Sequence, residues 1–123
     1  MTLTECYTAL GGNYEEVIGR LQHENMVIYF MQIFVKEDSL SQLKNAITAK
    51  DVPLAFRAAH SLNGNCMNLG FARLQQLAEA MAEALRSGQL DQAMILLDPL
   101  STEYEQTVIA IQQLSDCTLA FSE

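Results

Sequence analysis

The sequence predicts an all-α protein, an antiparallel up-down four-helix bundle with a short additional N-terminal helix. Apolar residues recur at spacings of three and four along almost the whole chain, and no long stretch alternates apolar and polar residues. Short connections separate four long amphipathic segments, which favours antiparallel neighbours in a bundle. The length of 123 residues suits one domain. We expect it to span residues 1–123, with its core at about 14–115.

The composition excludes several classes of partner. Fifteen Asp and Glu residues outnumber seven Lys and Arg residues, and the net charge of −8 disfavours nucleic acids and anionic membranes. The most apolar run, residues 26–35, is too short to span a bilayer and is expected to form a buried helix. The N-terminus lacks a secretory signal, and three widely spaced cysteines without a CxxC pair suit reduced thiols. We therefore expect a cytoplasmic protein.

The first half of the chain contains two predicted helical regions. Asn13 and Glu16 have the spacing of a capping box, with Asn replacing the usual Ser or Thr, and predict a short helix over 14–22. Helical spacing then continues from Glu24 to about Lys50. Polar residues cluster at 36–39, so this region is predicted as one kinked helix or two helices in line.

Capping residues delimit the next helix. Asp51 is a suitable N-cap, and Pro53 lies in the first turn, where its missing N–H costs little. The helix should run to about Asn68, with Gly70 as a left-handed terminator.

Two more amphipathic helices complete the chain. An apolar stripe over 74–85 ends just before Gly88, which indicates a helix that stops there. A last helix over roughly 89–115 contains Pro99, which should bend it.

The helix predicted after Asp51 has two distinct faces. With about 100° per residue, one face is apolar and should be buried; it consists of Ala55, Ala58, Leu62, Cys66 and Leu69. The opposite face surrounds His60 and consists of Pro53, Phe56, Arg57, Asn63, Gly64 and Met67. Asn63-Gly64 alone would suggest a turn, but a turn explains neither face.

Gly64 has two explanations. Glycine inside a helix costs roughly 0.5–1 kcal/mol relative to alanine. One turn beyond an outward histidine, its missing side chain would let a large partner reach a ring nitrogen. Glycine also lets two helices pack closely, and the residues alone do not separate these alternatives.

The stretch "AHSLNGNCMNLGF", residues 59–71, resembles the signature of histidine-containing phosphotransfer (HPt) domains. In that family an Ala-His pair is followed by an apolar residue two positions on, usually a lysine three on, a glycine four on, and Leu-Gly nine and ten on. The corresponding residues here are His60, Leu62, Asn63, Gly64, Leu69 and Gly70. The flanking segments also resemble the family, over roughly residues 14–115.

The resemblance implies a monomeric relay protein that is not a kinase. The phosphoacceptor would be His60, which takes a phosphoryl group from the phospho-aspartate of a receiver domain and passes it to another receiver. Gly64 would give the partner access, and Leu62, Leu69 and Gly70 would be structural. This chain would bind no cofactor, because the receiver would supply Mg²⁺ and a lysine. A site for a metal of its own is not expected, since its two histidines are 37 residues apart.

The residues around His60 leave further alternatives open. Asn63 stands where the family usually has lysine; Arg57 could supply part of the missing charge, and Asn63 can still donate a hydrogen bond. Phe56 and Met67 could belong to the bundle or to a docking patch. A non-catalytic adaptor that docks receiver domains without being phosphorylated is therefore the alternative function.

Overall fold

The computed structural model describes residues 2–117, and side chains for residues 2–114. Over this range the chain is helical and has no strand, which confirms the predicted all-α class. The described residues form seven helices: α1 Leu3–Leu10, α2 Tyr14–Leu21, α3 Glu24–Lys36, α4 Ser39–Thr48, α5 Val52–Leu69, α6 Ala72–Arg86 and α7 Leu90–Cys117.

Four helices account for most of the packing between elements. Helix α5 packs against α4 and α6, and α6 packs against α7. Contacts of α4 with α7 close the ring, and α3 also contacts both α5 and α7. The connections on either side of α5 and before α7 are two or three residues long. The antiparallel order of these helices stays a prediction from those short connections.

The region between Glu24 and Lys50 forms two helices, the second of the two predicted alternatives. It breaks between Lys36 and Ser39. The Glu37 carboxylate accepts hydrogen bonds from the backbone amide and the hydroxyl of Ser39, so the break is held by a local side chain.

Other boundaries follow the predicted caps. The Asp51 carboxylate accepts from the Leu54 amide, and Gly70 ends α5 with φ of 69°. Gly88 follows α6 with φ of 72°. Helix α7 continues through Pro99, and the bend expected there stays a prediction.

Two expectations were wrong. A single N-terminal helix was expected, but α1 precedes the helix predicted over 14–22, which forms α2. Its signal was present in the sequence, because Thr2 and Glu5 form a complete capping box. The run at 26–35 was expected to be buried, but α3 is amphipathic. Its exposed apolar residues lie at i, i+3 and i+7: Met26, Tyr29 and Ile33.

The segment before α3 caps the C-terminal end of α5 with hydrogen bonds. The last carbonyls of a helix have no partner within it and need outside donors. Arg20 Nη2 donates hydrogen bonds to the carbonyl oxygens of Met67 (3.0 Å) and Asn68 (2.6 Å). The Tyr7 hydroxyl donates to the carbonyl oxygen of Leu69 (2.5 Å). The backbone amide of Asn13 donates to the carbonyl oxygen of Gly70 (3.1 Å). We call residues 2–22 the N-terminal cap; it fixes the end of the helix that carries His60.

Candidate functional site

Helix α5 separates a buried face from an exposed one, as its sequence predicts. The apolar residues of the predicted inner face are all buried: Ala55, Ala58, Leu62, Cys66 and Leu69. On the other face His60, Arg57, Gly64 and Met67 are exposed, whereas Phe56 and Asn63 are half-buried. The helix therefore brings all six predicted site residues to one side, near the middle of the chain's second longest helix.

Phe56 sets the orientation of the His60 ring. The two rings are stacked, with centroids 5.8 Å apart and an interplanar angle of 20°. Phe56 also packs against the hydrophobic core, so it supports the imidazole from one side. None of the residues that the structure describes forms a hydrogen bond with either ring nitrogen. The exposed imidazole therefore stacks on Phe56, and its nitrogens have no hydrogen-bond partner among the described residues.

Gly64 lies in open space. A Cβ atom added there would meet no atom within 4 Å outside the local helix backbone. Gly12 shows the opposite situation, because a Cβ there would lie 2.5 Å from the Gly70 carbonyl oxygen. A glycine needed for helix packing would resemble Gly12. The open space contradicts the packing explanation of Gly64, whereas clearance for a partner stays a prediction.

Asn63 is bound to the neighbouring helix. Its Oδ1 accepts a hydrogen bond from Gln75 Nε2 on α6 at 3.0 Å. The same nitrogen donates to Glu79 Oε2, also at 3.0 Å. Arg57, by contrast, forms no ion pair with any residue of the described part of the chain, so its guanidinium is available on the His60 face.

A groove adjoins Gly64 on the side away from Phe56. Its volume is about 560 Å³, and α2, α5 and α6 supply its walls. Met67 lies on its rim with 55% of its surface exposed, and Arg20 and Gln75 also line it. Met67 is thus not a bundle residue, whereas Phe56 serves both the core and the His60 ring.

Three neighbours of the site were not predicted from the sequence: Gln75, Glu79 and Arg20. Gln75 and Glu79 are four residues apart, which places them on one helix face but does not show which helix they meet. Arg20 gives no local signal at all for α5, since 47 residues separate it from Met67.

The other histidine and the described cysteines lie outside the exposed face that carries His60. His23 is exposed and precedes α3. Cys6 and Cys66 are buried and free, and the Cys117 side chain lies outside the described side chains. Burial raises the pKa of the Cys66 thiol, which suits a packing role.

The described residues contain neither a metal-binding cluster nor a membrane-spanning helix. No three His, Cys, Asp or Glu side chains among them are grouped so as to hold a metal ion. No helix in that part of the chain is long and apolar enough to cross a membrane.

Comparison with known proteins gives one match. The model of the Hpt domain family matches residues 31–116, which include His60 and all of α4, α5 and α6. No curated protein and no solved structure matches the chain.

Proposed function

Because the chain belongs to the Hpt domain family, we propose that it is a phosphotransfer intermediate of a multistep two-component phosphorelay, with His60 as the phosphoacceptor. The family takes part in histidine phosphotransfer with receiver domains. The observation that carries the assignment to His60 is its place: an exposed imidazole, stacked on Phe56, with open space at Gly64.

The chemistry requires little from this chain. An imidazole nitrogen with a free lone pair attacks the phosphorus of a receiver's aspartyl phosphate. A P–N bond forms as the P–O bond to the aspartate breaks, and the carboxylate leaves with the bonding electrons. The imidazolium then loses its remaining N–H proton to solvent. Transfer to a second receiver aspartate reverses these steps.

Charge stabilisation during transfer would come mainly from the partner. A loose phosphoryl transition state depends on alignment and on cations near its oxygens, which the receiver's Mg²⁺ and lysine would supply. Arg57 would add one positive charge from this chain. No autokinase activity and no cofactor of its own belong to this proposal.

The docking surface would lie around the open side of His60. Met67 and the groove beside Gly64 adjoin it along α5. The exposed apolar stripe of α3 extends it, because Ile33 lines a small cavity together with Asn65 and Asn68 of α5. The protein would act as a monomer in the cytoplasm, without nucleic acid or membrane partners.

Transfer from a phosphorylated receiver tests the proposal. The purified protein should acquire acid-labile phosphate when it is mixed with a receiver domain that carries labelled phospho-aspartate. His60→Gln should abolish this label. His23→Gln is the matched control, since His23 is exposed but lies outside the site, and it should be labelled like wild type. Equal labelling of the His60→Gln variant would reject His60.

A non-catalytic adaptor is the second candidate. It is favoured by Asn63, which carries no charge and is already bonded to Gln75. The adaptor would bind receivers through Phe56, Met67 and their neighbours and would never be phosphorylated. Receiver binding that survives His60→Gln, together with no label on the wild type, would establish this function instead.

A further inference from the structure

Hydrogen bonds link three side chains, two on α6 and one on α5, one helical turn after His60. Glu79 accepts from Gln75, and Gln75 donates to Asn63, each at 3.0 Å. Both bonds use the same atom, the carboxamide nitrogen of Gln75. Each of the two hydrogens on this nitrogen therefore has an acceptor.

The chemistry of Glu79 fixes the direction of these hydrogen bonds. An ionised carboxylate only accepts hydrogen bonds, so the Gln75 atom that meets it must be the NH₂ group. The same NH₂ group meets Asn63, which must then present its oxygen. The Nδ2 donors of Asn63 consequently point away from Gln75, and no residue of the described part binds them.

A phosphoryl group on His60 needs donors of this kind. Its oxygens act mainly as hydrogen-bond acceptors at neutral pH. Asn63 is three residues after His60 on the same helix face, where Cβ atoms are typically about 5–6 Å apart. We propose that Gln75, oriented by Glu79, is a positioning residue that holds the Nδ2 donors of Asn63 toward the phosphoryl group on His60.

The need for positioning follows from the residue type at 63. A lysine ammonium has three donors and no acceptor, so it can meet a phosphate in any rotation. A carboxamide has an accepting end that would repel phosphoryl oxygens. An asparagine at this position is useful only when another group fixes which end faces His60. This inference rests on the proposed phosphorylation of His60.

The lifetime of the phosphohistidine tests this role. Phosphoramidate is a small phosphodonor that needs no receiver, and the loss of label from His60 can then be followed by ³¹P NMR. Gln75→Leu should shorten the lifetime roughly threefold to tenfold, the effect expected when a hydrogen bond of ordinary net strength is lost. Gln76→Leu is the matched control, because the exposed side chain of this neighbour forms no hydrogen bond with the described residues, and it should match wild type.

A double-mutant cycle separates positioning from general damage. If Gln75 acts through Asn63, Gln75→Leu should have no further effect on lifetime in an Asn63→Ala background. Glu79→Gln should give a smaller loss than Gln75→Leu, because it removes only the group that orients Gln75. An unchanged lifetime in Gln75→Leu, or an equal loss with and without Asn63, would overturn the proposal.

Because phosphoramidate labels His60 without a receiver, the test of Gln75 does not depend on transfer from a receiver domain. If phosphoramidate labels His60 but no receiver does, the relay is rejected. The lifetime of the phosphohistidine would still decide the role of Gln75. Absence of any label on His60 would overturn the positioning role, since there would be no phosphoryl group to hold.

Discussion

The Tyr7 hydroxyl donates a hydrogen bond of 2.5 Å to the carbonyl oxygen of Leu69, 62 residues further along the chain. The Tyr7 ring is buried and packs against Phe71, at a centroid distance of 5.8 Å. The bond thus joins α1 to the end of the helix that carries His60. The Hpt domain match begins only at residue 31, so the N-terminal cap adds a support that lies outside the matched region.

Removing the Tyr7 hydroxyl should destabilise the fold. Tyr7→Phe keeps the ring but leaves a buried carbonyl without its donor, at a cost of about 1–2 kcal/mol in the free energy of unfolding. Urea denaturation would measure it. Tyr29→Phe is the matched control because Tyr29 is exposed, and it should change little. Equal stability of both variants would show that the bond contributes nothing.

Arg20 should matter more for stability than an ordinary surface arginine. Arg20→Met removes both hydrogen bonds to the last turn of α5. Because water can reach these carbonyls, the expected loss is about 1 kcal/mol. Arg86→Met provides the comparison, since Arg86 pairs only with Glu83 on its own exposed helix face and should have little effect. Unfolding midpoints that fall equally would contradict the capping role.

Substitutions at Gly64 should separate stability from transfer. Gly64→Ala meets no neighbouring atom and removes a helix-interior glycine, so it should raise stability by roughly 0.5–1 kcal/mol. Gly64→Leu should slow phosphoryl transfer from a receiver while the helical circular dichroism stays unchanged. Gly19→Ala is the control, because Gly19 also lies in open space, within α2 and not within the helix that carries His60. Unaltered transfer by Gly64→Leu would remove the clearance argument.

A lysine at position 63 should strengthen phosphate binding. Asn63→Lys places a positive charge one turn from His60 and should lengthen the lifetime of its phosphoryl group. The gain should shrink as salt rises, because the pair is near the surface. Gln76→Lys changes the net charge by the same amount on the neighbouring helix and should have a smaller effect. A lifetime that is independent of the position of the lysine would argue against local stabilisation.

The buried thiol of Cys66 should make the protein less stable in alkali. Burial raises the pKa of this thiol in the fold, so the unfolded state loses its proton first as the pH rises. The free energy of unfolding should therefore fall once the pH passes the ordinary thiol value of about 8.5, by up to about 1.4 kcal/mol per pH unit. Cys66→Ala should lower stability near neutral pH, where the thiol is protonated in both states, but should flatten this slope. Parallel curves for the two proteins would reject the contribution of Cys66.

Local sequence determined the helices and the faces of α5. Asp51, Pro53 and Gly70 delimited that helix correctly, because caps and terminators act on residues within one or two turns. The apolar spacing also placed Cys66 inward and His60 outward, as the structure has them. The same rules could have found α1 from Thr2 and Glu5, so its omission was a missed signal rather than a limit of the sequence.

Only the tertiary structure decided what surrounds His60. Hydrophobic periodicity predicts which face of its own helix a side chain lies on, but it does not predict which other helix packs against that face. The open space at Gly64 and the bond from Gln75 to Asn63 depend on how α5 and α6 pack, and the Tyr7 bond depends on residues 62 positions apart. The sequence by itself therefore placed His60 on the outer face of α5 and showed an asparagine at position 63, while helix packing determined how Asn63 is held.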